Sequence, residues 1–242
     1  MPIIAFCNLK GGVGKSTTAI ALAYFLQSIQ QKSVVIIDTD AQQSTAQWAQ
    51  YLKIEYRSFR HDDISTELGY LKGDYDYVVV DAPSVLLDVS IDIIERADRI
   101  FVPTKPSALD LNSTGDILSE IQAVRMKRNG LPGVTVFLSM GRRNALSVGD
   151  AQTYMAQSYP GFDLAGAIIY DRACISDGFG QQTTVWGMPK RPAVKQAIAD
   201  YTDLFCTSLG LPNAEQTTAR RSIRATNNRS ARSTKTTPAH AY

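Results

Sequence analysis

The eight residues Lys10–Thr17, KGGVGKST, constrain this chain most. They follow a short apolar run, Ile3–Leu9, which reads as a buried strand, and they open a helical run from Lys15 to about Gln30. Glycines without a Cβ let successive backbone N–H groups turn inward around phosphate oxygens. A helix beginning there adds the positive end of its dipole. In that setting Lys15 is expected to reach the β- and γ-phosphates of a nucleotide, and the Ser16 hydroxyl to ligate Mg²⁺. The bland alternative is a flexible glycine turn with two surface lysines. The strand before it and the helix after it argue against that reading.

Further short β-rich runs alternate with helical stretches. Val34–Asp38, Tyr77–Asp81, Arg99–Pro103, Thr135–Met140 and Leu164–Tyr170 read as strands. About Leu111–Arg128 reads as a long helix closed by Asn129-Gly130, with Asp110 as its N-cap. Ala193–Leu209 reads as the last helix, stopped by Gly210 and Pro212. Continuous apolar strands between helices predict an α/β fold: a doubly wound, mostly parallel sheet with helices on both faces. The first 212 residues form the expected folded domain. Residues 213–242 carry six basic residues and one acid, with little to bury, and are expected to be a disordered basic tail. The body before it carries nineteen basic and twenty-two acidic residues.

The glycine loop departs from the common phosphate-loop pattern: Leu9 stands where a first glycine is usual, and Lys10 is an added lysine. KGGVGKST resembles the deviant Walker A motif of the ParA/MinD family of P-loop ATPases. VVIIDTDAQ at Val34–Gln42 is close to that family's DxDPQ segment, YDYVVVDAP at Tyr75–Pro83 to its Walker B strand, and PTKPSALD at Pro103–Asp110 to a segment of small plasmid-partition proteins. The similarity covers about residues 1–209, including Arg172 and Val185. It implies an ATP- and Mg²⁺-dependent hydrolase of the small ParA type, serving plasmid partition or the carboxysome positioning of McdA-type proteins. By that resemblance Lys10 reaches across a nucleotide-sandwiched homodimer. Gly11, Gly12, Val13, Gly14, Lys15, Ser16 and Thr17 hold the phosphates. Asp38 and Asp81 belong to the Mg²⁺ shell, and Asp40 orients the attacking water. Ala41 replaces the usual proline after Asp40. Arg142, in Met140-Gly141-Arg142-Arg143, either stacks on adenine or is solvated.

Lys190, Arg191 and Lys195 stand at the start of the last helix. They read either as a solvated face or as a contact for DNA phosphates. The resemblance implies non-specific binding to nucleoid DNA by the ATP-bound dimer, with an adaptor of ParB or McdB type that stimulates hydrolysis, and a cytoplasmic, nucleoid-associated location. A nucleotide-locked scaffold with little turnover is the alternative. The longest apolar runs are far too short to span a bilayer. A MinD-like membrane regulator would need an amphipathic C-terminal helix, and Ile223 is the only large aliphatic residue of the tail. Cys7, Cys174 and Cys206 do not fit a cluster-bridging dimer face, and a tyrosine autokinase would end in a tyrosine cluster rather than Tyr242 alone.

Overall fold

The apolar runs that mark strands in the sequence become the interior of one sheet. The computed structural model describes residues 1–40, 43–59, 64–71, 73–85, 87–142 and 146–213. Among the described residues eight strands form in chain order: β1 (Ile3–Phe6), β2 (Val34–Asp38), β3 (Glu55–Ser58), β4 (Tyr77–Asp81), β5 (Arg99–Thr104), β6 (Gly133–Gly141), β7 (Asp163–Leu164) and β8 (Ile169–Tyr170). Their spatial order is β3-β2-β4-β1-β5-β6-β7, with β8 on β6. Every pairing is parallel. The helices are α1 (Lys15–Tyr24), α2 (Ser44–Tyr51), α3 (Ile64–Tyr70), α4 (Leu87–Arg96), α5 (Ala108–Lys127), α6 (Leu146–Ser158), α7 (Ala173–Ser176) and α8 (Pro192–Leu209).

Alternation along the central strands splits the core in two. Ile3, Ala5, Val35, Ile37, Val78, Val80, Ile100 and Val102 join one buried cluster with residues of α4, α5 and α6. Ile4, Phe6, Ile36, Val79, Phe101 and Phe137 point the other way and are fully buried. There the Phe6 and Phe101 rings stack at 5.1 Å, and Phe137 meets Phe101 edge-on at 6.4 Å. Each such ring, withdrawn from water, contributes about 2 kcal/mol.

The sheet's winding fixes where a ligand can sit. From β1 the chain runs past β4 to β2 and β3, returns to β4, then crosses β1 to β5 and β6. The strand order reverses at β1, and in open parallel sheets the crevice beyond the strands' carboxyl ends at such a point receives ligands.

Several expected elements change on inspection. Helix α1 does not continue regularly to Gln30. It passes into one π-turn, Phe25–Ile29, in which Phe25 and Leu26 are buried. The expected strand over Leu164–Tyr170 is two two-residue strands, each pairing separately with β6. Asp110 is not the N-cap of α5. Ser107, in extended conformation, caps the helix by accepting from the Asp110 N–H at 3.2 Å. The Ser107 hydroxyl in turn donates to the Asp110 carboxylate, so the acid lies in the first turn rather than before it.

The chain resolves into two compact units, Met1–Leu204 and Phe205–Tyr242. In the second, the end of α8 closes at Gly210, with Leu211 N–H donating to Cys206 O at 3.0 Å. The basic tail from residue 214 onward lies outside the described residues, as do Ala41 and Arg143. No described helix is long and apolar enough to cross a membrane.

Loss of the α5 cap has a readable cost. Ser107→Ala is expected to lower the free energy of urea unfolding by about 1 kcal/mol. Leu109→Ala in the same turn, at a position 74% exposed, should change it by less than about 0.5 kcal/mol. Equal losses would show that the hydroxyl is not the cap.

Candidate functional site

The loop between β1 and α1 is held from beneath by buried polar side chains. Asn8 is 1% exposed. Its amide donates to Pro103 O at 2.8 Å and to Thr114 Oγ1 at 3.1 Å, and its Oδ1 accepts from the Lys10 N–H at 2.9 Å. Thr114 passes the chain on to Thr104 Oγ1 at 2.8 Å. Ser139, near the end of β6, donates to Val13 O at 2.6 Å. The loop is therefore tied to β5, α5 and β6. Gly12 (φ 68°) and Gly14 (φ 92°) adopt left-handed backbone, which a residue with a Cβ takes only with strain.

Lys15 opens α1 and is only 5% exposed. Its ammonium donates to Lys10 O at 3.1 Å and to Ser84 Oγ at 2.6 Å. Burial lowers its pKa from the ordinary lysine value, and the nearby Asp81, Cys7 and Asp40 work against that shift. Both acceptors are neutral, and among the described residues its charge has no direct ion pair, which suits a group that meets an anion.

Two carboxylates stand at the same edge. Asp38 and Asp81 end adjacent strands and are partners in the parallel register. Phe6, the last residue of β1, pairs with Asp81. Asp38 organises the segment after β2: its Oδ1 accepts from Asp40 N at 2.9 Å and its Oδ2 from Ala46 N at 2.8 Å. Burial raises its pKa, against the pull of those N–H donors. Asp81 Oδ2 accepts from the Thr45 hydroxyl at 2.6 Å. Its other oxygen, Oδ1, is buried and accepts no hydrogen bond of normal geometry among the described residues. Burial pushes the Asp81 carboxyl up to about 6; the Thr45 and Ser16 hydroxyls hold it down, and Asp38 pushes it further up.

A cavity of about 250 Å³ adjoins the helix end of the loop, lined by Gly14, Thr17, Met140, Tyr170, Arg172 and Tyr201 among others. Arg172 pairs with Asp200 at 2.7 Å and lies 5.2 Å over the Tyr170 ring. Arg142 is exposed and is not among the lining residues. Cys7 lies just below the loop, and burial pushes its thiol up to about 12, so it is no nucleophile at neutral pH.

The structure thus brings Gly11 to Thr17, Lys15, Asp38, Asp40 and Asp81 to one edge of the sheet. Lys10 is exposed at the mouth of the loop. Lys190, Arg191 and Lys195 share an exposed patch at the start of α8, where Lys195 N–H donates to Arg191 O at 3.0 Å. Sequence reasoning passed over Asn8, Thr45, Ser84 and Ser139. Asn8 leaves a signal, a polar residue closing an apolar strand directly before the glycines. Thr45 and Ser84 leave none, because the first turn of α2 and the segment after β4 bring them in from elsewhere in the chain.

The family described as "AAA domain" matches residues 1–61. "Maintenance of carboxysome distribution protein A" of Gloeobacter kilaueensis is 34% identical over 114 residues, 45% of this chain and 51% of that protein. "Protein ParA" of Rhizobium radiobacter is 31% identical over 116 residues, 46% of this chain and 51% of that protein. The chain spans about half the length of these curated relatives. Among solved structures, apo McdA of Cyanothece superposes with a TM-score of 0.68 at 18% identity, covering 84% of this chain and 98% of that one. A variant of the same protein was solved in complex with ATP. At that identity the likeness shows a shared fold.

Asp81 generates a prediction on stability. Its folded pKa, about 6, lies above the ordinary value of 3.8. The folded state therefore binds the proton more tightly than the unfolded chain does. The group's contribution is fully favourable below about pH 4 and is lost as pH rises through 6. Without nucleotide, Asp81→Asn is expected to be more stable than the wild type at pH 7, by an amount of order 3 kcal/mol at most. The gain should vanish near pH 4. Thermal melts across pH check this, and a gain independent of pH would contradict it.

Proposed function

We propose, from the premise that the chain belongs to the ParA/MinD family of P-loop proteins, that it is a Mg²⁺-dependent ATPase working as a dimerisation switch. One observation carries the reading. The glycine loop delivers the buried Lys15 ammonium to the sheet edge where Asp38 and Asp81 end neighbouring strands. Phosphoryl transfer to water depends on positioning and charge neutralisation more than on covalent chemistry. Lys15 supplies a cation for the β- and γ-phosphates, and the loop N–H groups cradle them. The donor set, the Ser16 hydroxyl beside the buried Asp81 carboxylate, suits a hydrated Mg²⁺. Bound there, Mg²⁺ would neutralise phosphate charge. Asp38 positions the segment carrying Asp40, and Asp40 orients the attacking water. Lys10, exposed at the mouth, reaches a partner protomer's nucleotide. Met140 and Tyr170 line the space for the base, and Arg142, exposed two residues after Met140, is the candidate to stack on adenine.

In this reading the ATP-bound dimer binds nucleoid DNA non-specifically, and an adaptor of ParB or McdB type stimulates hydrolysis to release it. The cargo is a plasmid or a protein organelle such as a carboxysome, as the names of the relatives suggest. The Lys190, Arg191 and Lys195 patch is the DNA contact. Pairing two protomers makes two weak patches one bivalent footprint, which raises avidity without a new contact. The protein acts in the cytoplasm, on the nucleoid.

Two experiments test the switch and its readout. Asp40→Ala is expected to keep ATP binding and to accumulate as a dimer in size-exclusion runs with ATP–Mg²⁺, while phosphate release falls about a hundredfold or more. A monomer hydrolysing at the wild-type rate would remove Asp40 from the chemistry. Charge reversal at Lys190, Arg191 and Lys195 together is expected to weaken duplex binding in ATP at least about tenfold and flatten its salt dependence, with ATP affinity unchanged. If the triple variant binds as well as the wild type, while a chain ending at Pro212 does not, the tail is the DNA-binding element.

A further inference from the structure

The glycine loop has two ends with different neighbours. A methyl group placed on Gly14 would lie 3.7 Å from Cε of Met140, on the side of the cavity. At the other end, a methyl group on Gly11 would lie 4.0 Å from Ser84 Oγ, the group that Lys15 contacts. One on Gly12 would lie 3.9 Å from Nζ of Lys105. Lys105 is the first residue after β5, within PTKPSALD, and is half-buried. Its backbone is fixed: the carbonyl accepts from Ser107 N at 2.8 Å, and the preceding Thr104 is anchored through Thr114 to Asn8. Among the described residues its ammonium makes no ion pair.

A cation held beside a loop of inward-turning N–H groups, with no carboxylate on it, adds to a positive field that an anion relieves. Lys10, Lys15 and Lys105 now converge on one loop. The order of the neighbours gives the direction. A nucleotide with its base in the cavity beside Gly14 runs its phosphate chain away from the base, toward Gly12 and Gly11. Lys105 stands at that far end.

We propose that Lys105 is a binding residue for the terminal phosphate of the nucleotide, and that it sets the preference for tri- over diphosphate. The proposal rests on the nucleotide reading given above. A dissociable switch needs such a preference, because a ligand shifts an equilibrium only by its differential affinity for the two states.

The test is calorimetric titration of the full chain with Mg²⁺ and either a non-hydrolysable ATP analogue or ADP. It compares the wild type, Lys105→Ala and Lys105→Arg. Loss of a charge-assisted contact is expected to weaken the triphosphate analogue about ten- to hundredfold in Lys105→Ala, and ADP less than about threefold. Lys105→Arg should stay within about threefold of the wild type for both. Equal weakening of both ligands in Lys105→Ala, or of neither, would overturn the proposal while leaving the nucleotide reading standing. A wild-type chain that binds neither nucleotide would overturn both. The melting temperature of ligand-free Lys105→Ala should match the wild type, separating lost binding from lost folding.

Discussion

An ammonium buried at the open edge of a parallel sheet is the constraint on which the rest of this site depends. Lys15 is withdrawn from water, yet its hydrogen bonds go to a carbonyl and a hydroxyl rather than a carboxylate. Such a charge is costly unless something negative comes close. Asp81 is close enough to act on it electrostatically but is itself buried and reluctant to ionise. The site thus holds a cation and an acid that are both under-solvated, an arrangement suited to a phosphate chain with its metal ion.

The sheet makes that arrangement possible. Placing β4 between β1 and β2 brings Asp38, Asp81 and the loop to one edge, although 23 residues separate Lys15 from Asp38 and 43 separate Asp38 from Asp81. The buried chain Asn8–Thr114–Thr104 then fixes the loop's floor to β5 and α5. The same strand β5 delivers Lys105. One topology therefore supplies the cradle, the acids and the further cation from four separate stretches of chain.

Much of this was legible in the residues. β2 and β4 fall where continuous apolar runs end in aspartate, and the loop's glycines and lysines announce a phosphate site by chemistry alone. β3 was not legible, because all four of its residues are exposed and no apolar run marks it. β1 ends at Phe6 rather than at Leu9: Cys7 N–H still donates to Phe101 O of β5 at 3.1 Å, but Asn8 turns its side chain under the loop and takes the chain out of the sheet. The cap of α5 was misplaced by three residues, since Ser107 and Asp110 both favour helix starts and only geometry shows which accepts. Thr45, Ser84 and Ser139 carry no local signal, and Lys105 is marked only as part of PTKPSALD: their roles arise from what distant strands place beside them. The basic tail is plain in composition, and its structure lies outside the described residues.

The central claim is that Lys15 is the buried cation around which a nucleotide's phosphates assemble. Calorimetric titration of ATP–Mg²⁺ into the wild type and Lys15→Ala addresses it directly. The account predicts saturable binding by the wild type and none measurable by the variant, with both chains folded by circular dichroism. Undiminished affinity in Lys15→Ala would contradict it.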